Sequence, residues 1–226
     1  MLDPLPAEEK VSVVLAGRFE RTDFEAEKLV SDGILTAQEG HDARPYRKTI
    51  STGSGFRVDS ITLFATPSKL NLETNDLSRG DRLRDLVLGI LHHATGTPSQ
   101  ACGITYEFCF VLPHDQARDE VIFRQAPAHE RWNGVLEHPT VRQLSISGQR
   151  WGEFAGQNNV TIRPSRLRDH GLVVAANYHF PMPKGRDKQE LSKLAAEFLE
   201  REWSAAFSFA NRVAKHVFAD GDLDVH

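Results

Sequence analysis

The chain has 226 residues, enough to bury a sizeable core as one domain or two tightly joined halves. Hydrophobic residues make up 40% and charged residues 26%, ordinary globular values, and the net charge of −4 argues against a main role in neutralising nucleic-acid phosphates. No apolar run is long enough to span a bilayer, and the start, MLDPLPAEEK, lacks the basic and apolar regions of a secretory signal.

In chain order, Val11 to Ala16 is a short β-branched run and reads as a well-covered strand ended by Gly17. A short helix is expected from about Asp23 to Ser31, with Gly33 just past its end. The polar stretch 41–55, with Pro45, Gly53 and Gly55, reads as an irregular loop. Phe56 to Thr66 reads as one strand, Ile61, Leu63 and Ala65 alternating with Thr62, Phe64 and Thr66. Lys69 to Thr74 follows as another, Leu70 and Leu72 on one face.

The stretch Asp81 to Leu112 organises the chain. Leu83, Leu86, Val87, Ile90 and Leu91 recur at helical spacing, with Asp81 as the expected N-cap and Gly96 and Pro98 as the stop. Ile104, Tyr106, Phe108 and Phe110 then alternate with Thr105, Glu107, Cys109 and Val111 as a strand.

Residues 113–140 read as the least regular part, with one apolar run at Val121, Ile122 and Phe123 and a helical turn near Trp132 to Leu136. Strands are expected at Val141 to Arg150, Val160 to Leu167 and Leu172 to Phe180, the first two joined by a hairpin connection over 148–159 that carries Trp151 and Phe154. From Lys188 to Phe218, Leu191, Ala195, Phe198, Leu199, Trp203, Ala206, Ala210, Val213 and Val217 form one helical stripe. Such a helix is about 45 Å long. The acidic tail, residues 219–226, is expected to be flexible.

These elements predict an α+β fold: a curved antiparallel sheet with helices packed on one face, including a long C-terminal helix. The expectation is a single domain. The segments around Tyr106-Glu107-Phe108 and Tyr178-His179-Phe180 resemble each other, which two related halves (about 1–113 and 114–218) or shared strand composition explain about equally.

Candidate chemistry is sparse. His92 and His93 are adjacent, so they project about 100° apart and cannot chelate together; helix-end placement beside the negative dipole end accounts for them. His114-Asp115, His129-Glu130 and Asp169-His170 read as solvated turn residues. Cys102 and Cys109 lie too far apart along an extended segment to bond each other, and they fit a reducing cytoplasm. No metal and no cofactor is expected, and no nucleotide-binding or hydrolase motif is present.

Glu107, Asn177 and His179 are expected to point away from the helices; with Arg150 they would form an anion-binding surface or an acid–base pair. The wet face of an antiparallel sheet accounts for the same polarity. Arg142, Arg150, Arg163, Arg166, Arg168 and Lys184, interleaved with Trp151 and Phe154, would suit single-stranded nucleic acid if they formed a strip.

The run PSKLNLETNDL, the helix after it and TPSQACGITYEFCF, followed by RWNGVLEHPTVRQLSISGQR, resemble a family of uncharacterised bacterial proteins. Its pattern is an early VVL-G-F strand, a middle L-x-x-T strand, a helix and TP-x-x-A-x-GI-N. Here it stands as Val13-Val14-Leu15-Ala16-Gly17, Leu70 to Thr74, and Thr97 to Ile104, with Thr105 in place of the asparagine. The similarity covers most of the chain before Ile162. It implies a bacterial cytoplasmic protein and brings no catalytic residues with it.

The expectation drawn from all this is a non-catalytic binding or interaction protein, a subunit of a homo- or hetero-oligomeric assembly, with Trp151, Phe154 and Trp132 as its interaction surface. A small-ligand binder or hydrolase with a cavity between sheet and long helix is the alternative, and nucleic-acid binding is the second. A protein partner or self-association is expected, and no membrane.

Overall fold

The structure is a computed structural model that describes residues 5–46, 53–93, 97–126, 132, 134–137 and 139–219. Its frame is a 9-stranded open sheet, antiparallel throughout: β1 (Glu8–Arg18), β2 (Arg44–Tyr46), β3 (Ser54–Val58), β4 (Ile61–Thr66), β5 (Lys69–Thr74), β6 (Thr97–Val111), β7 (Leu144–Arg150), β8 (Gly156–Pro164) and β9 (Gly171–Pro181). The spatial order is β2-β3-β4-β5-β1-β6-β9-β8-β7. The helices are α1 (Ala26–Ser31), α2 (Ala37–Asp42), α3 (Gly80–His93), α4 (Asp115–Arg124) and α5 (Lys188–Phe218). This is the α+β layout the patterning predicts.

Period-two alternation fixes which face is buried. Val11, Val13 and Leu15 of β1 pair with Thr74, Leu72 and Leu70 of β5 and with Tyr106, Ile104 and Cys102 of β6, and all of these are buried. On β9, Leu172, Val174, Ala176, Tyr178 and Phe180 continue the same face. α3 lies over β5 and β1, α5 over β6 and β9, and the two helices pack side by side. The stripes of both are the expected ones: Leu83, Leu86, Val87, Ile90 and Leu91 on α3, and Leu191, Ala195, Phe198, Leu199, Trp203, Ala206, Ala210 and Val217 on α5 are buried, with Val213 half-buried against the same core. Asp187 caps α5, accepting from the Glu190 amide at 2.9 Å. None of the helices described is long and apolar enough to cross a membrane.

Two chain segments share one order of elements. Apart from β2, which has no counterpart in the second, β1, α1–α2, the meander β3-β4-β5 and α3 run as strand, helix, meander, helix, and so do β6, α4, the meander β7-β8-β9 and α5. In each, the last meander strand pairs with the first strand, and β1 pairs with β6 at the centre.

Several local expectations change. Phe56 to Thr66 is two strands, because Val58 pairs directly with Ile61 across a tight turn in which Asp59 takes φ 52°, a region aspartate tolerates better than most residues. The stretch 23–31 divides into a 3-10 turn over Arg21–Phe24 and α1, which Gly33 at φ 73° ends as expected. α2 was hidden in polar sequence; Thr36 and Glu39 form a capping box at its start. Pro45, expected in a loop, sits in β2 opposite Phe56. α3 begins before Asp81, running out of a 3-10 turn that Asp76 caps, so Asp81 lies in its first turn and pairs with Arg84 at 3.2 Å. Gly96 lies outside the described residues, and β6 extends back to Thr97, through Pro98. The irregular stretch after Leu112 holds α4, with the His114 Nδ1 accepting from the Ala117 amide at 3.0 Å as its N-cap. Near Trp132 a turn does form, with the Val135 and Leu136 amides on the Trp132 carbonyl. β7 begins at Leu144 rather than Val141 and, with β8, takes up most of the expected connection over 148–159. Of the acidic tail only Ala219 is described.

Candidate functional site

All the described helices lie on one face of the sheet, so the other face is built from the polar half of each strand. Register aligns Arg44, Arg57, Thr62, Glu73, Ser12, Thr105, Asn177, Asn159 and Ser147 in a single row across every strand. At the usual spacing of neighbouring strands the row is about 38 Å long. Its β7 half is a continuous relay: Ser147 donates to Asn159 at 2.7 Å, the Asn159 amide to Asn177 at 3.2 Å, and the Asn177 amide to the Thr105 hydroxyl at 2.8 Å. The Arg57 Nε donates to Thr62 at 3.1 Å.

Three charged pairs or hydrogen bonds on this face join neighbouring side chains, while Arg44 and Arg57 stand opposite each other in register. Lys10 meets Glu73 at 2.9 Å, Asn71 donates to Glu73 at 3.0 Å, and Arg163 meets Glu107 at 3.1 Å. Ser12 (9% exposed), Asn71 (8%) and Thr62 (4%) are buried although no described helix covers them. A recess of ≈ 220 Å³ opens beside Arg57, Asp59, Thr62 and Glu73.

Three of the four residues expected to form a ligand surface do share this face. Asn177 pairs with Thr105, His179 with Gly103 and Glu107 with Ala175. They do not converge. His179 and Glu107 are four residues apart in register, about 13 Å at the strand rise, far beyond the hydrogen-bond reach an acid–base pair needs. Burial, with the Arg150 charge added, holds the His179 imidazole below its ordinary pKa of 6.5.

Arg150 is the correction. It follows Leu144, Ile146 and Gly148 in alternation, on the helix side of β7, where its guanidinium lies 3.8 Å from the Tyr178 ring centroid. It donates to the His179 carbonyl at 3.0 Å and faces Glu202 of α5 at 3.5 Å. The expected cavity between sheet and long helix does not contain the proposed ligand residues either, since Glu107, Asn177 and His179 all point away from α5. What opens there is a recess of ≈ 250 Å³ at the far end of α5, lined in part by Leu5, Phe108, Phe110 and Phe218.

The expected interaction residues separate. Trp151 is 82% exposed and Trp132 54% exposed, beside Val135 and Leu136, which are also exposed. Phe154 is buried: it meets Phe180 and Phe198 edge-on at 5.4 and 5.7 Å, with Arg201 over its ring. The basic strip is not assembled. Arg150 and Arg163 lie on opposite faces, Arg163 is held by Glu107, and Arg168 pairs with Glu8.

Of the histidines, His92 and His93 close α3 and are exposed, with His93 Nδ1 3.0 Å from the Gly89 carbonyl. His114 and Asp115 are not simple turn residues: one caps α4, and the other meets His170 at 3.0 Å and Arg118 at 2.6 Å, the His170 bond holding its carboxyl below the usual range. His129 and Glu130 lie outside the described residues. Cys102 and Cys109 are both buried thiols, on opposite faces of β6. Among the described residues no three His, Cys, Asp or Glu side chains group to hold a metal.

Sequence reading passed over Ser12, Asn71, Glu73, Thr105, Asn159 and Ser147 as site residues. Their alternation was legible, but their alignment depends on which strands become neighbours. No family model matches the chain, and no curated protein matches it.

Proposed function

We propose that this chain is a non-catalytic interaction protein that works as a subunit of an assembly in the bacterial cytoplasm. One observation carries the reading: the hairpin end of the sheet presents large apolar side chains to solvent on and just beyond a strand that no further described strand covers. Ile146 is 50% exposed on β7 and Trp151, one residue beyond its end, 82% exposed. Exposed apolar surface of this kind marks association sites. About 13 Å in register between His179 and Glu107 weighs against those two as an acid–base pair, and the pairing of Arg163 with Glu107 and of Arg168 with Glu8 weighs against the arginine strip.

Native mass spectrometry of the protein isolated from its own host tests the reading. The expected result is a defined assembly, self-made or mixed, that Trp151→Ala disrupts. A bare monomer carrying a small-molecule mass overturns it and directs attention to the polar face.

A further inference from the structure

The two edges of the sheet are treated differently. β2 has three residues and carries Arg44 and Pro45, a short, charged, proline-bearing edge of the sort that discourages pairing. β7 has seven residues, LSISGQR, with no proline and no register shift against β8. Its one charge, Arg150, is withdrawn beneath α5 with its side chain 9% exposed. Apart from the inward-pointing Arg150 at its end, β7 carries no proline, register shift or solvent-facing charge, and it ends the strand order among the described residues.

We propose that the partner at this edge is a second copy of the chain, joined β7 to β7 about a two-fold axis into one continuous sheet. This rests on the interaction reading above and names its partner. A two-fold axis normal to the sheet makes two identical edge strands antiparallel, the pairing used throughout this sheet. With the axis at Ser147, the central residue, all of β7 overlaps its mate. Ile146 then meets Gly148, Ser145 meets Gln149 and Leu144 meets Arg150, so no like charges are directly opposed. Any other axis leaves strand residues unpaired. The half-exposed Ile146 is covered in the same step.

The purified full chain tests this by light scattering over a concentration series. The expected mass is twice 25.3 kDa. Ile146→Lys places a charge at the seam and should weaken the dimer at least about tenfold while leaving the urea midpoint of the monomer in place. Ser147→Cys should cross-link the copies under mild oxidation, since directly opposed residues of antiparallel strands lie within disulfide reach and both native cysteines are buried. A monomer at every concentration overturns the proposal, as does a dimer that survives Ile146→Lys and gives no Ser147→Cys cross-link. A monomer that leaves its host bound to a different protein overturns the second copy alone and keeps the interaction reading.

Discussion

The Arg150 guanidinium stacks on the Tyr178 ring at 3.8 Å, and both side chains bond the Glu202 carboxylate, the tyrosine hydroxyl donating at 2.8 Å. One cluster thereby ties β7, the last strand of the sheet, to β9 and to α5. Arg150→Ala is expected to cost about 2–3 kcal/mol, from the lost stacking and an ion pair with little solvent access. Arg150→Lys should fall between, because it keeps the charge and loses the planar fork. Urea midpoints of the two variants measure this; equal midpoints for wild type and Arg150→Ala would remove the cluster from the stability of the fold.

His179 gives stability a pH dependence of known sign. Its folded pKa lies below 6.5, from burial first and the Arg150 charge second. Between the folded value and 6.5 the unfolded chain takes up a proton that the folded chain refuses, so stability falls as pH drops through that window and is unaffected above it. His179→Gln should shrink the difference between urea midpoints taken at about pH 7.5 and about pH 5. An unchanged difference refutes the assignment.

The relay on the polar face couples Gly103 to Asn177. A Cβ built on Gly103 would sit 3.1 Å from the Asn177 amide nitrogen, and that amide bonds Thr105. Asn177→Ala should cost about 1–2 kcal/mol by leaving half-buried partners unpaired. Gly103→Ala should destabilise the wild-type chain and cost less in the Asn177→Ala background, a coupling of about 0.5–1 kcal/mol in a double-mutant cycle. Strict additivity would mean the two side chains do not compete for the same space.

Trp151 and Phe154, three residues apart, should behave oppositely. Phe154 is 3% exposed among Phe180 and Phe198, so Phe154→Ala should lose about 3–5 kcal/mol. Trp151 is 82% exposed, and Trp151→Ala should leave monomer stability within about 0.5 kcal/mol. Thermal unfolding of both under identical conditions decides it.

The buried stripes of α3 and α5 were legible because helical spacing repeats over several turns, and the alternation of β6 and β9 because two faces differ sharply in polarity. The short elements were not. α4 buries Val121 and Ile122 and is capped by a histidine, an unusual capping residue, so its pattern hardly differs from that of a loop. The turn at Asp59 divides a run whose alternation continues on either side, so periodicity alone could not place the break. Phe154 and Trp151 look alike in sequence; only the position of α5 separates them.

Period and polarity along the chain by themselves determined the antiparallel α+β class, the long C-terminal helix and the outward direction of Glu107, Asn177 and His179, since these depend on neighbours a few residues away. Tertiary structure decided the rest. It set the strand order that aligns Ser147, Asn159, Asn177 and Thr105, the burial of Arg150 against Tyr178, and the place of β7 at one edge of the sheet. Those features join residues distant in sequence, and a local pattern carries no information about which strand its strand will lie beside.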